Sequence, residues 1–141
     1  MNIDIVVIIC GWLSDKDKIS YLSIDNTFHM LKHIIHYEDM IIVTKIKKLP
    51  YYDQFTNIIS DDVITFPKHI THLTFSHNFD QDIKGVIPSS VTHLTFGYSF
   101  DQDIKGVIPS SVTHLTINKS TYKNLKDDYD KLELKLKVMP Y

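Results

Sequence analysis

The chain has 141 residues and no arginine; its 15 basic residues other than histidine are all lysines. It therefore lacks the planar fork that grips a phosphate or a guanine edge through two bonds. The lysines face 17 carboxylates, for a net charge of -2, and no concentrated basic footprint forms along the chain. Nucleic-acid binding needs such a footprint and is not expected. Lys45, Lys47 and Lys48, ahead of Pro50, read as a solvated turn. A single cysteine, Cys10, excludes an intrachain disulfide. It ends the apolar run Ile5-Val6-Val7-Ile8-Ile9-Cys10, where a thiol packs as a small hydrophobe. So little cysteine fits a reducing compartment, and an intracellular, cytoplasmic location is expected. Long hydrophobic runs are missing too. The run from Ile5 has no basic residue ahead of it and stops at Ser14-Asp15-Lys16-Asp17-Lys18. It is too short to cross a bilayer and has no signal-peptide n-region, so it reads as a buried helix. Neither end carries a lipidation motif, and no membrane partner is expected.

What the chain does contain is a tandem repeat. Pro67 to Ile87 reads PKHITHLTFSHNFDQDIKGVI, and Pro88 to Ile108 reads PSSVTHLTFGYSFDQDIKGVI, with 15 of 21 positions identical. A third copy opens at Pro109 as PSSVTHLTI and departs at Asn118. A fixed period of this length indicates stacked coils. With 43% apolar residues, the composition is that of an ordinary globular protein of one domain or two very small ones.

Each copy holds one strand signal. Leu73 and Phe75, Leu94 and Phe96, and Leu115 and Ile117 alternate with His and Thr, which predicts strands with one face buried. The remaining residues suit a narrow return path, so equivalent strands should lie side by side and parallel. Ile70, Val91 and Val112, Phe79 and Phe100, Ile83 and Ile104, and Ile87 and Ile108 are expected to line the interior. Gly85 and Gly106 suit turns that a side chain would obstruct, and Pro67, Pro88 and Pro109 fix the backbone entering each coil. Asp80 and Asp101 are expected to accept backbone N–H groups at the turn after the strand.

The outward positions form ladders: His72, His93 and His114 in one column, Thr74, Thr95 and Thr116 beside them. This is the candidate partner face. Three histidines can hold zinc, but a flat ladder does not converge three ring nitrogens on one point. No metal or other cofactor is expected.

Flanking segments extend the array. Asp61 to Phe66 completes or precedes the first coil. Beyond Ile117, a polar stretch with helical spacing at Leu125, Tyr129 and Leu132 leads into Leu132, Leu134, Leu136 and Val138. That alternation predicts a short helix followed by a final strand, whose charged outer residues guard an open edge. Ahead of the repeats, Asp4 is placed to cap a helix bearing Ile5, Ile8, Ile9 and Trp12. A second helical stretch starts at Asp17, with an interruption at Asn26-Thr27, and His29 to Tyr37 looks helical again. Met40 to Ile46 is a strand or a helix end. The division expected is a helical segment at residues 1–48 and a solenoid at 49–141, with near-identical copies at 67–108 and degenerate terminal coils. The front helices are either a separate unit or a cap on the exposed end of the solenoid.

The repeated IPSSVTHLTF and FDQDIKGVIP resemble the FNIP repeat, a leucine-rich-repeat-like family of social amoebae and of giant viruses that infect amoebae. Its Phe-Asn pair corresponds to Phe79-Asp80 and Phe100-Asp101, with Asp in place of Asn, and its Ile-Pro pair to Ile87-Pro88 and Ile108-Pro109. The front end resembles an F-box: Ile3 to Ile9 matches the opening helix, and Trp12-Leu13-Ser14-Asp15-Lys16-Asp17 the following Tyr-Leu-x-x-x-Asp turn. Tyr21, Leu22, Ile24, Phe28 and Leu31 fall in its later apolar pattern, while its opening Leu-Pro is absent. The resemblance implies an α+β fold, a short leucine-rich-repeat-like parallel β solenoid with an N-terminal helical cap or F-box-like unit. It implies a Skp1-type adaptor partner met by Ile5, Ile8, Trp12 and Leu13, with the repeats holding a target for a ubiquitin ligase. The alternative is a stand-alone repeat protein with no ubiquitin role. No nucleophile elbow, phosphate loop or convergent acid–base pair is present, so catalysis is not expected.

Overall fold

A computed structural model describes residues 3–129 and 135–139. Its centre is a six-stranded, wholly parallel sheet whose strand order follows the sequence. The strands are β1 (Ile41–Ile42), β2 (Asn57–Ser60), β3 (His72–Phe75), β4 (His93–Thr95), β5 (His114–Ile117) and β6 (Lys135–Val138). The repeats are in exact register: His72 pairs with His93 and His93 with His114, as do Leu73, Leu94 and Leu115. The expected parallel solenoid is therefore present, and the sheet continues past both ends of the clear copies.

The register comes from one main-chain device used in three successive coils. The carbonyl of Thr56 accepts the N–H groups of both Thr71 and His72. Thr71 does the same for Thr92 and His93, and Thr92 for Thr113 and His114. Inside, buried residues fill the coil as expected: Leu73, Leu94 and Leu115, then Ile70, Val91 and Val112, then Ile83 and Ile104. Ile87 is buried and Ile108 partly so. The phenyl rings stack both within and between coils, Phe75 on Phe79 at 4.0 Å and Phe96 on Phe100 at 4.1 Å. Phe75 also lies parallel to Phe96 at 5.4 Å. Gly85 and Gly106 adopt φ of 70° and 65°, the left-handed region that glycine enters without a Cβ penalty.

The flanking coils differ in length. From Asn57 to its partner His72 the chain advances 15 residues, whereas from His114 to Lys135 it advances 21. In the last coil, helix α4 (Lys119–Tyr129) occupies the return path. A helix followed by a strand was expected there; Leu132 and Leu134 lie outside the described residues. Sequence reasoning did not find β2. Its signal is faint but present: Thr56-Asn57-Ile58 aligns with Thr71-His72-Leu73 through the threonine and the buried aliphatic residue.

At the front, α1 (Ile3–Cys10), α2 (Asp15–Tyr21) and α3 (Asn26–His29) form a small cluster. Val6, Cys10, Leu22, Phe28 and Leu31 make its own core, separate from that of the solenoid. Three expectations change here. Asp4 sits within the first turn of α1 instead of capping it. The second helix begins at Asp15, because the Ser14 side chain accepts the Asp17 N–H. The helical conformation of 29–37 runs only through a 3-10 turn to His33, and Tyr37 instead bridges in parallel to Phe55. Met40 to Ile46 divides into β1 and a single 3-10 turn. The sheet thus starts upstream of residue 49, at Ile41.

Polar contacts tie the helices to the first coil. Asp15 and Asp39 exchange bonds, each main-chain N–H donating to the other's carboxylate at 3.1 and 2.6 Å. Lys18 Nζ lies 2.8 Å from the Asp15 carboxylate, both side chains nearly buried, and also donates to the His36 carbonyl. Buried Lys32 donates to Ser23 Oγ at 2.7 Å, and its ammonium lies 5.8 Å from the Tyr51 ring centre. These charges are buried with partners, the condition under which burial of a charge is tolerated.

Candidate functional site

Strand alternation turns one set of side chains into the core and the other outward. The outward set forms two columns across the sheet. One runs Asn57, His72, His93 and His114; the other Ile42, Ile59, Thr74, Thr95, Thr116 and Lys137. All six expected face residues, His72, Thr74, His93, Thr95, His114 and Thr116, are brought together here, each half-buried. Asn57, Ile59, Ile42 and Lys137 join them; Asn57 and Ile59 were missed because β2 was not foreseen as a strand.

The histidines form a tight stack. His72 and His93 lie 4.1 Å apart between ring centres at 14° from parallel, and His93 and His114 4.1 Å apart at 5°. One hydroxyl orients each ring. Thr71, Thr92 and Thr113 each place Oγ1 2.9 Å from Nδ1 of the next residue's imidazole. The same hydroxyls donate to the carbonyl of the preceding coil, at 3.2 to 3.4 Å. A ring protonated on Nδ1 donates to that hydroxyl oxygen, and Nε2 has no hydrogen-bond partner among the described residues. Desolvation, with His72 and His114 on either side, lowers the His93 pKa below the ordinary imidazole value. The rings are parallel and do not converge; among the described residues no group of three or more His, Cys, Asp or Glu is placed to hold a metal ion.

The stack runs into a groove of about 610 Å³. His72 lines it together with His36, His69, Lys68, Glu38 and Ser90. His36 and His69 lie 5.1 Å apart between ring centres. The Ser90 hydroxyl is shielded from solvent and has no hydrogen-bond partner.

The four front-end residues expected to meet an adaptor present a second surface. Ile5, Ile8 and Trp12 are 50%, 63% and 88% exposed, while Leu13 is half-buried. The expected buried helix is thus corrected: α1 buries Val6 and Cys10 and turns most of its remaining apolar residues outward. The reason is spacing. Val6 and Cys10 are one helical turn apart and face Leu22, Phe28 and Leu31, so residues around the rest of the helix have nothing to pack on. Burial pushes the Cys10 thiol up, in keeping with a structural cysteine.

The coil geometry and its sequence period find a counterpart among known families. Residues 62–99 and 79–120 match the model of the FNIP repeat. These central coils are similar to FNIP repeats. The family match covers the central coils and leaves the front helices outside it. Over 86 residues, 59% of this chain, it is 29% identical to a putative FNIP repeat-containing protein, R636, of Acanthamoeba polyphaga mimivirus. It spans 22% of that relative's length. A solved structure, CroV588, described as a novel circular LRR protein, is 28% identical over 60% of this chain and 14% of its own, with a TM-score of 0.44. The array here is an α+β parallel solenoid with an open laddered face, a stacked-repeat architecture of the kind that displays a binding surface. Repeat solenoids of this class typically bind rather than catalyse. Among the described residues, no helix is long and apolar enough to cross a membrane.

Proposed function

We propose that this protein is a substrate-recognition adaptor: the outer strand face of the FNIP solenoid holds a protein target, and the front helices dock a Skp1-type component of a ubiquitin ligase. In this reading residues 1–48 are the adaptor side and 49–141 the recognition side, with β1 reaching across the junction. Such a role belongs to the cytoplasm of an amoebal cell.

One observation carries the adaptor half. Trp12 is 88% exposed, and Ile5, Ile8 and Ile3 are each at least half exposed on the short helix just before it. Soluble proteins rarely leave contiguous apolar surface of this kind without a partner for it. A helix serving only to close the end of the solenoid would bury those residues against the first coil. Instead, the contact with the first coil runs through Asp15, Lys18, Ile19 and Lys32, which leaves α1 free to meet another chain.

The test is a pull-down with a purified amoebal Skp1-type adaptor, comparing the wild-type chain with a Trp12→Ala/Leu13→Ala variant, both checked for folding by circular dichroism. Capture of the wild type and loss of the folded variant is the expected result. A folded wild type that is not captured refutes the adaptor half.

A further inference from the structure

We propose that the histidine column and the groove at its end bind a carboxylate-rich segment of a protein partner. This rests on the reading of the strand face as the recognition surface, and it names the chemistry of what that surface takes.

Five of the eight histidines in the chain belong to one continuous surface. His114, His93 and His72 form the stack, and His72 also lines the groove that holds His36 and His69. Each stacked ring has its Nδ1 engaged by the preceding threonine, and no partner for Nε2 is present among the described residues. When protonated, the three rings offer three N–H donors in a row, spanning strands about 4.8 Å apart. Hydroxyls of Thr74, Thr95 and Thr116 run beside them. These groups donate hydrogen bonds and complement an acceptor-rich ligand.

Charge agrees. Neither outward column contains a carboxylate; the groups around the stack are His36, His69, Lys68 and Glu38 at the groove, with Lys137 exposed in register beside Thr116. Lys68 is held by Asp53 at 3.1 Å, and Glu38 is the single acid lining the groove. The repeat's own carboxylates, Asp80, Asp82, Asp101 and Asp103, stand at the turns beyond the strands. The face is therefore poor in negative charge in a chain that is acidic overall. Stacked imidazoles repel one another as they protonate, and a row of carboxylates along Nε2 relieves that repulsion. Binding should accordingly strengthen as pH falls from about 7.5 to about 6, a range in which glutamates stay ionised. A nucleic acid is the weaker fit, because its affinity rests on dense permanent cations and this face has few lysines and no arginine.

A fluorescein-labelled peptide of about ten glutamates, followed by anisotropy at pH about 7.5 and about 6 in constant salt, tests the proposal. The wild type should bind roughly tenfold more tightly at the lower pH. A His72→Gln/His93→Gln/His114→Gln variant, folded by circular dichroism, should lose that gain, and Lys84→Gln/Lys105→Gln should keep it. Absent binding, pH-independent binding, or equal binding of an oligouridylate or of phosphatidylserine vesicles would overturn it. A random-peptide display selected on the wild type and counter-selected on Thr95→Trp separates the two levels of the argument. Acidic sequences support the proposal. Non-acidic sequences that need the open face overturn it and keep the strand-face reading, and no face-dependent sequence overturns both.

Discussion

Asp80 accepts the main-chain N–H of Asp101, its own counterpart one coil later, at 3.0 Å, and Gln102 Nε2 at 2.9 Å. Asp101 in turn accepts from Ser120 Oγ at 3.2 Å. The FNIP signature has asparagine at this position, so a carboxylate here joins successive turns where an amide stands in the family.

The bonds from Asp101 and Gln102 hold the Asp80 carboxyl below the ordinary carboxylate range. Its contribution to stability is present above the unfolded-state pKa and is lost as pH falls through the lower folded one. Asp80→Asn should keep most of the stability at neutral pH, because an amide oxygen accepts the same N–H, and should remove the acid-side loss. Asp80→Ala should lower the urea midpoint already at neutral pH. Denaturation curves at pH about 7 and about 3 check all three chains.

Gly97 marks the closest approach of two coils. A Cβ built there would meet the Ser76 carbonyl oxygen at 2.0 Å and the His77 Cα at 2.8 Å. Both are main chain and cannot rotate away. Gly97→Ala should therefore cost about 1–3 kcal/mol, the range seen when a packed interior is overfilled. At Gly85 the space is open and only φ is unfavourable, so Gly85→Ala should cost about 1 kcal/mol. Guanidinium midpoints rank the two.

Residues in α1 and in the turn just after it should separate stability from binding. Val6 is fully buried in the front core, and Val6→Ala should destabilise by about 1–3 kcal/mol. Trp12, 88% exposed, should be replaceable by alanine with a change within about 0.5 kcal/mol. Thermal melts of the two variants measure this; a large loss for Trp12→Ala would show that the indole is structural.

His93 gives a prediction of the same sign as Asp80 in a higher pH range. Its pKa is lowered by desolvation and by His72 and His114, so below the unfolded value of about 6.5 the unfolded chain binds more protons than the folded one. Its neutral form supports the fold above that pH, and the support is lost as pH falls through the folded value. Midpoints measured from pH about 8 to about 5 should decline, and His93→Gln should flatten that slope.

Much of this architecture was legible because repetition amplifies weak signals. Leu73, Leu94 and Leu115 recur at one spacing with histidine and threonine between them, and a register that is repeated in sequence is repeated in space. The outlying strands lacked that amplification. Asn57–Ser60 shares with the repeats only a preceding threonine and one buried aliphatic residue, and its coil is six residues shorter, 15 against 21.

The sequence by itself determined the period, the parallel stacking, and the inward and outward residues of the repeated coils, since alternation and spacing are local properties of the chain. Tertiary structure alone decided three things. It brought His36 and His69 to the end of the histidine column, because contacts between segments more than 30 residues apart carry no local pattern. It turned Trp12 and Ile8 to solvent, because which side of an apolar helix is buried depends on where its few partners lie. It also joined Asp80 to the turn one coil ahead, because that bond exists only once the coils are stacked.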